Sequence, residues 1–587
     1  MNDFLQRLRE RKLVQWALAY AAAAFALLQG FDIVAQRFAW PEAIERMLIL
    51  ALAIGFFVAI VLAWYHGEKG AQRVGGVELS ILALLLAIGG GLLWRFAAAP
   101  VEQHVATTSE TAESKPASTQ DPRQRNSIAV LPFSDMSPGH DQEYFSDGMT
   151  EEILNALAQV QGLKVAGRTS SFFYKGKNEN LQVIGRTLGV AHILEGSVRK
   201  QGDRVRITAQ LIQAADDSHL WSKEYDGTLN DIFELQERIA RAITDQLKLV
   251  LQDEQKPHGA LHAPKPEAYQ QYLRGQYFWH QRGYENLQTA IAAYQAALVV
   301  DPDYADAWAG MAQVYAILPE YYETVAANTG AAPDTMQQAL DAADHALRLE
   351  PASSAALLAR AYIRGARQFD WSGAEADFRA VVAANPQDAT AHQWYGEILM
   401  YQRRWTDCDA QFDALLAIDP LSVIAQHLKG FALALQGRFE EALPVFDEAL
   451  RIAPAFVFSQ NWKVFTQVKL HRYDEAQAAI SNFPEPRREL MTKFVTAARD
   501  PAQRDRLAEQ IAAGPAQDTA IQMVLAIVGR DDLALAAIER QFHDKAPFRG
   551  LVYANVLFDP LQKDPRFQAL LRQVNLPPAS GQSPSRH

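Results

Sequence analysis

Three long apolar runs lie within the first 96 residues of the 587-residue chain. They are Leu13–Phe31, Met47–Tyr65 and Leu79–Trp94, and none of them contains a charged residue. About 20 apolar residues in a helix cross the roughly 30 Å of hydrocarbon in a membrane. The pattern therefore predicts that residues 1–96 form a membrane anchor of three transmembrane helices. These predicted helices span about residues 13–35, 46–65 and 78–96.

Lysine and arginine residues near the ends of the runs predict an orientation, because they concentrate on the cytoplasmic side of a membrane. Four precede the first run, and Lys69 and Arg73 lie between the second and third runs. The opposite side has Arg37, Arg46 and Arg95. Six lysine and arginine residues on one side against three on the other favour a cytoplasmic N-terminus. The protein is then expected to be a multi-pass protein of a bacterial inner membrane. The bulk of the chain is then expected in the periplasm, with the lipid bilayer as one partner.

Composition narrows the remaining function classes. Residues 97–126 are rich in Ser, Thr, Glu, Gln and Pro, which predicts a flexible linker. A net charge of −12 offers no basic surface, so we expect no nucleic-acid partner. The single cysteine, Cys408, excludes an internal disulfide and any multi-cysteine metal site.

The periodicity after the linker predicts a mixed α/β domain. Val205, Ile207, Ala209 and Leu211 alternate with polar residues, which is the pattern of a half-buried strand. Short apolar runs at 127–133, 163–166 and 193–199 predict further strands. Segments with helical spacing separate them, and Asp147 is expected to cap the first predicted helix.

Several blocks of this region resemble a known family. The blocks SIAVLPFSDMS, EYFSDGMTEEILNAL, LGVAHILEGSVRKQGDRVRITAQLI and HLWSKEYDGTLNDIFELQERIA are similar to the TolB-like N-terminal module, which is often joined to tetratricopeptide repeats in bacterial proteins. The resemblance implies an α/β fold over residues 127–255 that is used for protein contacts and brings no catalytic residue. In some relatives the module follows a nucleotide-cyclase or winged-helix domain, whereas here the predicted spans occupy that place.

A repeat follows the α/β region. Pro302, Pro351, Pro386, Pro420 and Pro454 end successive helical patterns at separations of 49, 35, 34 and 34 residues. A period of 34 residues is typical of tetratricopeptide repeats, in which proline stops the second helix of each pair. We therefore predict an all-α repeat solenoid over residues 264–484. Degenerate helical repeats and a cap are expected over residues 485–576, and a disordered tail over 577–587.

The 49-residue separation exceeds the period by 15, which predicts an insertion around Ile317–Thr335. Tyr321 and Tyr322 in this segment are candidate anchors for a partner protein, because insertions in solenoids often lie on the binding face. A lengthened helix followed by a surface loop is the alternative, and the sequence leaves both open.

Motifs that carry chemistry are missing from the sequence. The chain has no GxxxxGK[ST], HExxH, GxSxG or GxGxxG pattern. Cys408 occupies a small-residue position of a repeat helix, which favours burial over nucleophilic chemistry. The acidic residues around His140 are typical of a solvated loop rather than of a cation site. We therefore predict no enzyme, no catalytic, cofactor-binding or metal-binding residue, and no cofactor.

The predicted function is a non-enzymatic, membrane-anchored scaffold. Partner proteins are expected on the concave face of the repeats and on the TolB-like domain, in envelope assembly. The alternative is a signalling or regulatory membrane component related to cyclase-associated TolB-like repeat proteins. The sequence does not decide the oligomeric state, so a homo-oligomer stays open.

Overall fold

The structure is a computed structural model, in which the chain forms two compact units, Met1–Ala117 and Ser118–His587. All the residues that the structure describes belong to the second unit. They are 126–247, 264–322, 334–481, 483–485, 487–514, 520–544 and 549–576.

A six-stranded mixed sheet forms the first part of this unit. Its strands are β1 (Ser127–Val130), β2 (Ser134–Asp135), β3 (Lys164–Val165), β4 (His192–Gln201), β5 (Arg204–Gln213) and β6 (Ser218–Thr228). The strand order is β3-β1-β4-β5-β6, with β2 paired to β4. β1 runs parallel to β3 and β4, which requires crossover connections, whereas β4, β5 and β6 form antiparallel pairs.

Four helices accompany the sheet: α1 (Glu143–Ala158), α2 (Arg168–Phe172), α3 (Leu181–Leu188) and α4 (Ile232–Gln246). The alternating residues of β5 are buried in one hydrophobic core with apolar residues of α1 and α4. α3 contributes Ile184 and Leu188 to a separate cluster with Ala129 and Ile193. The predicted strand pattern of β5 is confirmed by this burial.

Asp147 does not cap α1, because the helix begins one turn earlier, at Glu143. Phe145 is fully buried in the first turn and holds that turn against the core. Asp147 instead lies inside the helix and pairs with Lys175 at 2.6 Å. Sequence spacing predicted the helix correctly and placed its start too late.

Antiparallel helical pairs follow the sheet. They are α5 (Pro266–Gln281) with α6 (Tyr284–Val300), α7 (Ala305–Tyr322) with α8 (Met336–Leu349), α9 (Ser354–Ile363) with α10 (Trp371–Ala384), α11 (Ala389–Tyr401) with α12 (Trp405–Ile418), α13 (Val423–Leu435) with α14 (Phe439–Ile452), and α15 (Val457–Lys469) with α16 (Tyr473–Ile480). A π-helical turn, Arg364–Gln368, extends α9. In the first five pairs the second helix ends two residues before its proline, as the repeat pattern predicted.

Glycines in the first helices make room for an aromatic ring in the second helices. Gly396 faces Phe412, Gly430 faces Phe446, and Gly310 faces Tyr294 of the preceding pair. A Cβ atom added to Gly396 would lie 2.5 Å from Phe412 Cε1, which is closer than atoms approach. The close contact of helices in this array therefore depends on small residues at these positions.

The C-terminal part continues as helices and returns to the repeats. Its elements are α17 (Arg487–Arg499), α18 (Pro501–Ala512), α19 (Ala520–Ile527), α20 (Asp531–His543), α21 (Leu551–Ala554), the 3-10 helix Val556–Lys563, and α22 (Pro565–Gln573). Arg403 donates to the carbonyl of Tyr553 at 2.6 Å and pairs with Asp559. The indole of Trp371 donates to the carbonyl of Asn575 at 3.1 Å. These contacts join the C-terminal helices of the described residues to the third and fourth pairs.

The fold class needs a correction. No helix in the described ranges is long and apolar enough to cross a membrane. α7 shows the reason, since it has 18 residues but carries Asp306 and Glu320 and buries its apolar residues against other helices. The three transmembrane helices predicted at about 13–35, 46–65 and 78–96 lie outside the described residues.

The observed fold is therefore an α/β domain followed by an all-α helical array. The predicted multi-pass inner-membrane location, with a cytoplasmic N-terminus and a periplasmic bulk, is not retained. The predicted linker, except Asn126, and the predicted tail also lie outside the described residues.

We expect Gly310→Ala to destabilise the array. Alanine is favoured over glycine inside a helix by about 1 kcal/mol, but the added Cβ would lie 2.6 Å from Tyr294 Cζ. Overpacking of this kind costs about 1–3 kcal/mol, so we expect a net loss in the free energy of unfolding, measured by urea denaturation. Adding Tyr294→Leu should recover part of the loss caused by Gly310→Ala. Equal stability of the wild type and Gly310→Ala would contradict the packing constraint.

Candidate partner-binding surfaces

The two tyrosines predicted as exposed anchors lie at the C-terminal end of α7 and are half-buried. Tyr322 packs edge-on against Tyr284, with ring centroids 5.3 Å apart. Tyr321 packs against the hydrophobic core, and burial raises its pKa. Residues 323–333 of the predicted insertion lie outside the described residues. A role of Tyr321 and Tyr322 in partner binding stays a prediction.

An open groove with a volume of about 420 Å³ lies between α7 and α8, close to these tyrosines. Both helices line it with residues three or four positions apart, so that each presents one stripe. The lining residues are Trp308, Met311 and Tyr315 from α7, and Gln338, Asp341, Ala342, Asp344, His345 and Arg348 from α8. We call this feature the α7–α8 groove.

A stack of two aromatic rings lies at one end of the α7–α8 groove. The ring centroids of Trp308 and His345 are 4.3 Å apart, and the rings are inclined by 26°. The Trp308 indole donates to the carbonyl of Pro302 at 2.9 Å, and Arg348 donates to His345 Nδ1 at 3.1 Å. Burial, together with the charge of Arg348, lowers the pKa of His345, which favours the neutral ring that can accept this bond. The indole is therefore fixed in position.

The middle and the other end of the groove are apolar and aromatic. Met311 and Ala342 are buried and form its floor. Thr335 donates its hydroxyl to the carbonyl of Tyr315 at 2.5 Å, which joins the start of α8 to α7. In the sequence, Trp308 and Tyr315 fit the pattern of a first repeat helix, and nothing in that pattern pairs them with α8. Their common groove with α8 arises from tertiary packing across the predicted insertion.

The first helices of the array are covered by other parts of the chain. Trp279 of α5 contacts Trp394 of α11, with centroids 6.4 Å apart, and Trp394 also contacts Tyr362 of α9 at 4.9 Å. α1 packs on α5, where a Cβ at Gly148 would lie 2.7 Å from Leu273. Much of the surface that these first helices present is therefore occupied within the chain. Partner binding on the concave face stays a prediction.

The turn after α10 binds the backbone of the α/β domain. The side-chain oxygen of Gln387 accepts from the backbone nitrogen of Val165 at 2.8 Å. Its amide nitrogen donates to the carbonyls of Ala158 and Leu163 at 3.2 and 2.9 Å. One glutamine thus satisfies three backbone groups, at the end of α1, just before β3 and in β3.

The turn after α12 binds the start of α2 in the same manner. Asp419 accepts from the backbone nitrogen of Ser170 at 2.6 Å, and Gly167 donates to the carbonyl of Ile418 at 2.7 Å. Ser170 in turn accepts from the backbone nitrogen of Leu421 at 2.8 Å. The residue preceding α2 provides no capping side chain. Asp419 therefore supplies from the repeats the cap that the helix itself lacks.

A half-buried ionic group joins α1, α2 and α5. Glu151 contacts His280 at 2.6 Å and Arg168 at 3.0 Å. Burial opposes ionisation of Glu151, but His280 and Arg168 lower its pKa to about 2. Burial, followed by the charge of Arg168, lowers the pKa of His280 to about 4. At neutral pH the histidine is therefore a neutral donor to a carboxylate.

Two further carboxyl groups, at the contact between the α/β domain and the first repeats, hold their protons more tightly than usual. Burial and the charges of Asp306 and Glu151 raise the pKa of Glu152 to about 8. Burial and Glu350 raise the pKa of Asp306 to about 6. The contact between the α/β domain and the first repeats therefore includes a glutamic acid that is largely protonated at pH 7.

The other candidate residues for chemistry have structural roles. Cys408 is fully buried, and burial raises the pKa of its thiol far above the usual value. Asp135 accepts from the backbone nitrogens of Ser137 and Gln142, as a loop carboxylate does. Across the part of the chain that the structure describes, no group of three or more His, Cys, Asp or Glu residues is placed to hold a metal ion.

Family models match two regions of the chain. Residues 124–242 match the second domain of HilA/YgeH-like transcriptional regulators. Residues 366–407 and 396–455 match the tetratricopeptide repeat. The prediction of tetratricopeptide repeats in the C-terminal region is therefore confirmed. The resemblance of the α/β domain to the TolB-like module stays a prediction.

One curated relative is a Rhizobium meliloti (strain 1021) protein named "Putative adenylate cyclase 3". It is 39% identical to this chain over 224 residues, which cover 38% of this chain and 37% of the relative. The chain thus matches just over a third of the relative's length.

Several solved structures are similar to parts of the chain. A repeat protein from Parabacteroides merdae is 14% identical and covers 46% of this chain and 100% of its own, with a TM-score of 0.31. YrrB, described as a TPR protein with an unusual peptide-binding site, is 22% identical over 34% of this chain and 90% of its own, with a TM-score of 0.23. PilW, a type IV pilus biogenesis factor, is 23% identical over 37% of this chain and 98% of its own, with a TM-score of 0.29.

We expect Asp419→Ala to weaken the contact between α2 and the repeats. Loss of a capping carboxylate costs about 0.5–2 kcal/mol, and the backbone nitrogen of Ser170 would remain buried without its acceptor. Hydrogen exchange should therefore become faster at residues 168–172, which are more than 240 residues away in sequence. Asp500→Ala is the matched control, because Asp500 caps its own helix, α18. Unchanged exchange at residues 168–172 in Asp419→Ala would show that the contact is not needed.

We expect the effect of Glu152→Gln on stability to depend on pH. The pKa of Glu152 rises from 4.5 to about 8 in the folded state, so between these values the folded chain keeps a proton that the unfolded chain has lost. The free energy of unfolding of the wild type should then fall as pH rises through this range. Relative to the wild type, Glu152→Gln should gain at least about 1 kcal/mol between pH 5 and pH 8, because one pKa unit corresponds to 1.36 kcal/mol.

Urea unfolding at both pH values measures this gain. The control is Glu509→Gln, at an exposed position of α18. A pH-independent difference between the wild type and Glu152→Gln would refute the raised pKa of Glu152.

Proposed function

We propose that this chain is a non-enzymatic protein-interaction scaffold. In this proposal the repeats hold the α/β domain in a fixed position and bind a partner protein in the α7–α8 groove. The observation that carries the proposal is the contact of Gln387 and Asp419 with the backbone of the α/β domain. It supports the proposal because side-chain groups of these turns satisfy backbone donors and acceptors of another part of the chain directly.

The α7–α8 groove supports a second, external contact. Its volume of about 420 Å³ is within the range of sites that take a ligand or a short peptide segment. A fixed indole at one end and a buried apolar floor provide the kind of anchor that dominates binding energy in protein interfaces. The groove also lies on a repeat pair with an insertion, as often found for binding faces of solenoids.

A regulatory role of the scaffold is supported by the names of similar proteins. One family model describes a transcriptional regulator, and one relative carries the name of a cyclase. Cyclase activity itself is not proposed for this chain.

Site-specific photo-crosslinking tests the proposal. A benzophenone amino acid in place of Gln338, which is exposed in the α7–α8 groove, should form a discrete adduct with a protein of the native host. Trp308→Ala in the same chain should reduce the yield of that adduct at least about fivefold, because an aromatic anchor of this type contributes at least about 1 kcal/mol.

The control places the same crosslinker at Asp407 of α12. Asp407 is exposed and lies 13 residues before Pro420, as Gln338 lies 13 residues before Pro351. Adducts of equal yield from both positions, or an adduct at position 338 that survives Trp308→Ala, would count against a specific partner site in this groove.

A further inference from the structure

We infer that the α7–α8 groove binds an extended segment that presents lysine or arginine beside an aliphatic residue. This inference rests on the proposed function and specifies the chemistry of the partner. It follows from the length of the groove, from the carboxylates on its wall and from the aromatic rings at its ends.

The length of the groove limits the occupant to a short segment. The α8 stripe runs from Gln338 to Arg348, ten residues along the helix. At 1.5 Å per residue the stripe is about 15 Å long. An extended chain advances about 3.3 Å per residue, so the groove holds four or five residues of a partner.

Two carboxylates on the groove wall have no cationic partner. Asp341 and Asp344 are exposed, and within the described residues neither forms an ion pair. Asp341 accepts only from the neighbouring amide of Gln337, at 2.8 Å. The charge of Asp344 acts on Arg360 without a direct contact. Both carboxylates are therefore available to an incoming cation.

The cations near the groove are already engaged. Arg348 donates to the ring of His345, which burial favours in the neutral form. Arg360 and Arg364 both pair with Asp377, each at 2.8 Å. Arg360 and Arg364 therefore neutralise Asp377, whereas Arg348 hydrogen-bonds to a ring and forms no ion pair among the described residues.

The surroundings add further negative charge. Asp303 acts on His345 from the turn before α7, and Glu350 acts on Asp306 from the end of α8. Arg348 is the only cation among the residues that line the groove, against two carboxylates. With a net charge of −12 over the whole chain, the potential favours approach of a basic segment.

The apolar part of the groove suits the remainder of such a segment. Trp308 and Tyr315 present aromatic rings on either side of the buried Met311 and Ala342. A cation above an aromatic face gains about 0.5–1 kcal/mol at exposed sites. The methylene groups of lysine or arginine, or an adjacent leucine, would cover the floor.

Peptide binding to the full-length chain tests the inference. The probe is the fluorescein-labelled, C-terminally amidated peptide Leu-Arg-Ala-Leu-Arg, and binding is measured by fluorescence anisotropy at 150 mM salt. The matched probe replaces both arginines by citrulline, which keeps the shape and removes the charge. We expect the arginine peptide to bind with a Kd at least about tenfold lower, which corresponds to about 1.4 kcal/mol.

A pair of double variants separates the groove from general attraction to an acidic protein. Asp341→Asn with Asp344→Asn should weaken binding about tenfold. Asp407→Asn with Asp413→Asn changes the net charge equally, at exposed carboxylates of α12, and should leave the Kd within about twofold. Thermal melting of both double variants confirms that they are folded.

Three results would overturn the inference: no binding at 1 mM peptide, equal binding of the citrulline peptide, or equal weakening by the two double variants. If one of these occurs while the crosslink from position 338 still depends on Trp308, the groove binds a partner of different chemistry and the proposed function survives. If the crosslink also fails, the proposed function fails with it.

Discussion

The structure depends on the satisfaction of backbone groups where the α/β domain meets the repeats. Burial of an amide nitrogen or carbonyl without a partner costs about 1–3 kcal/mol, and the short helix α2 and the edge strand β3 both place such groups against the array. Gln387 and Asp419 supply the missing partners. Both residues lie in turns that follow second helices of repeats. Gln387 directly follows Pro386, and Asp419 directly precedes Pro420, so each lies beside the proline of its repeat.

The periodic parts of this architecture could be predicted from the sequence. The alternation in β5 indicates a strand, and the 34-residue spacing of prolines indicates helical pairs. Both structures are formed by residues that are near one another in sequence. The contact of Gln387 with Val165 joins residues 222 positions apart and leaves no periodic signal. The stack of Trp308 on His345 joins residues on either side of the insertion, and it leaves no periodic signal in the sequence either. The predicted membrane anchor showed the limit of a composition argument, because hydropathy gave a fold class that the described helices do not support.

The carboxyl groups at the contact between the α/β domain and the repeats differ in environment from those in the α7–α8 groove. Where the α/β domain meets the repeats, Glu152 and Asp306 are half-buried, and burial raises the pKa of both. In the groove, Asp341 and Asp344 remain exposed. The contact between the α/β domain and the repeats thus includes Glu152, which is largely protonated at pH 7. The groove presents two exposed carboxyl groups that form no ion pair among the described residues.

The return of the C-terminal segment to the third and fourth repeats has a consequence for how such an array can change in evolution. Open solenoids gain or lose repeats at a free end, because each repeat contacts only its neighbours. Here the Trp371 side chain donates a hydrogen bond to the carbonyl of Asn575, 204 residues further along the chain. Arg403 donates one to the carbonyl of Tyr553, 150 residues further along. Insertion or deletion of one repeat between these points would displace the C-terminal helices from the residues that hold them. The number of repeats is therefore fixed by closure of the chain on itself.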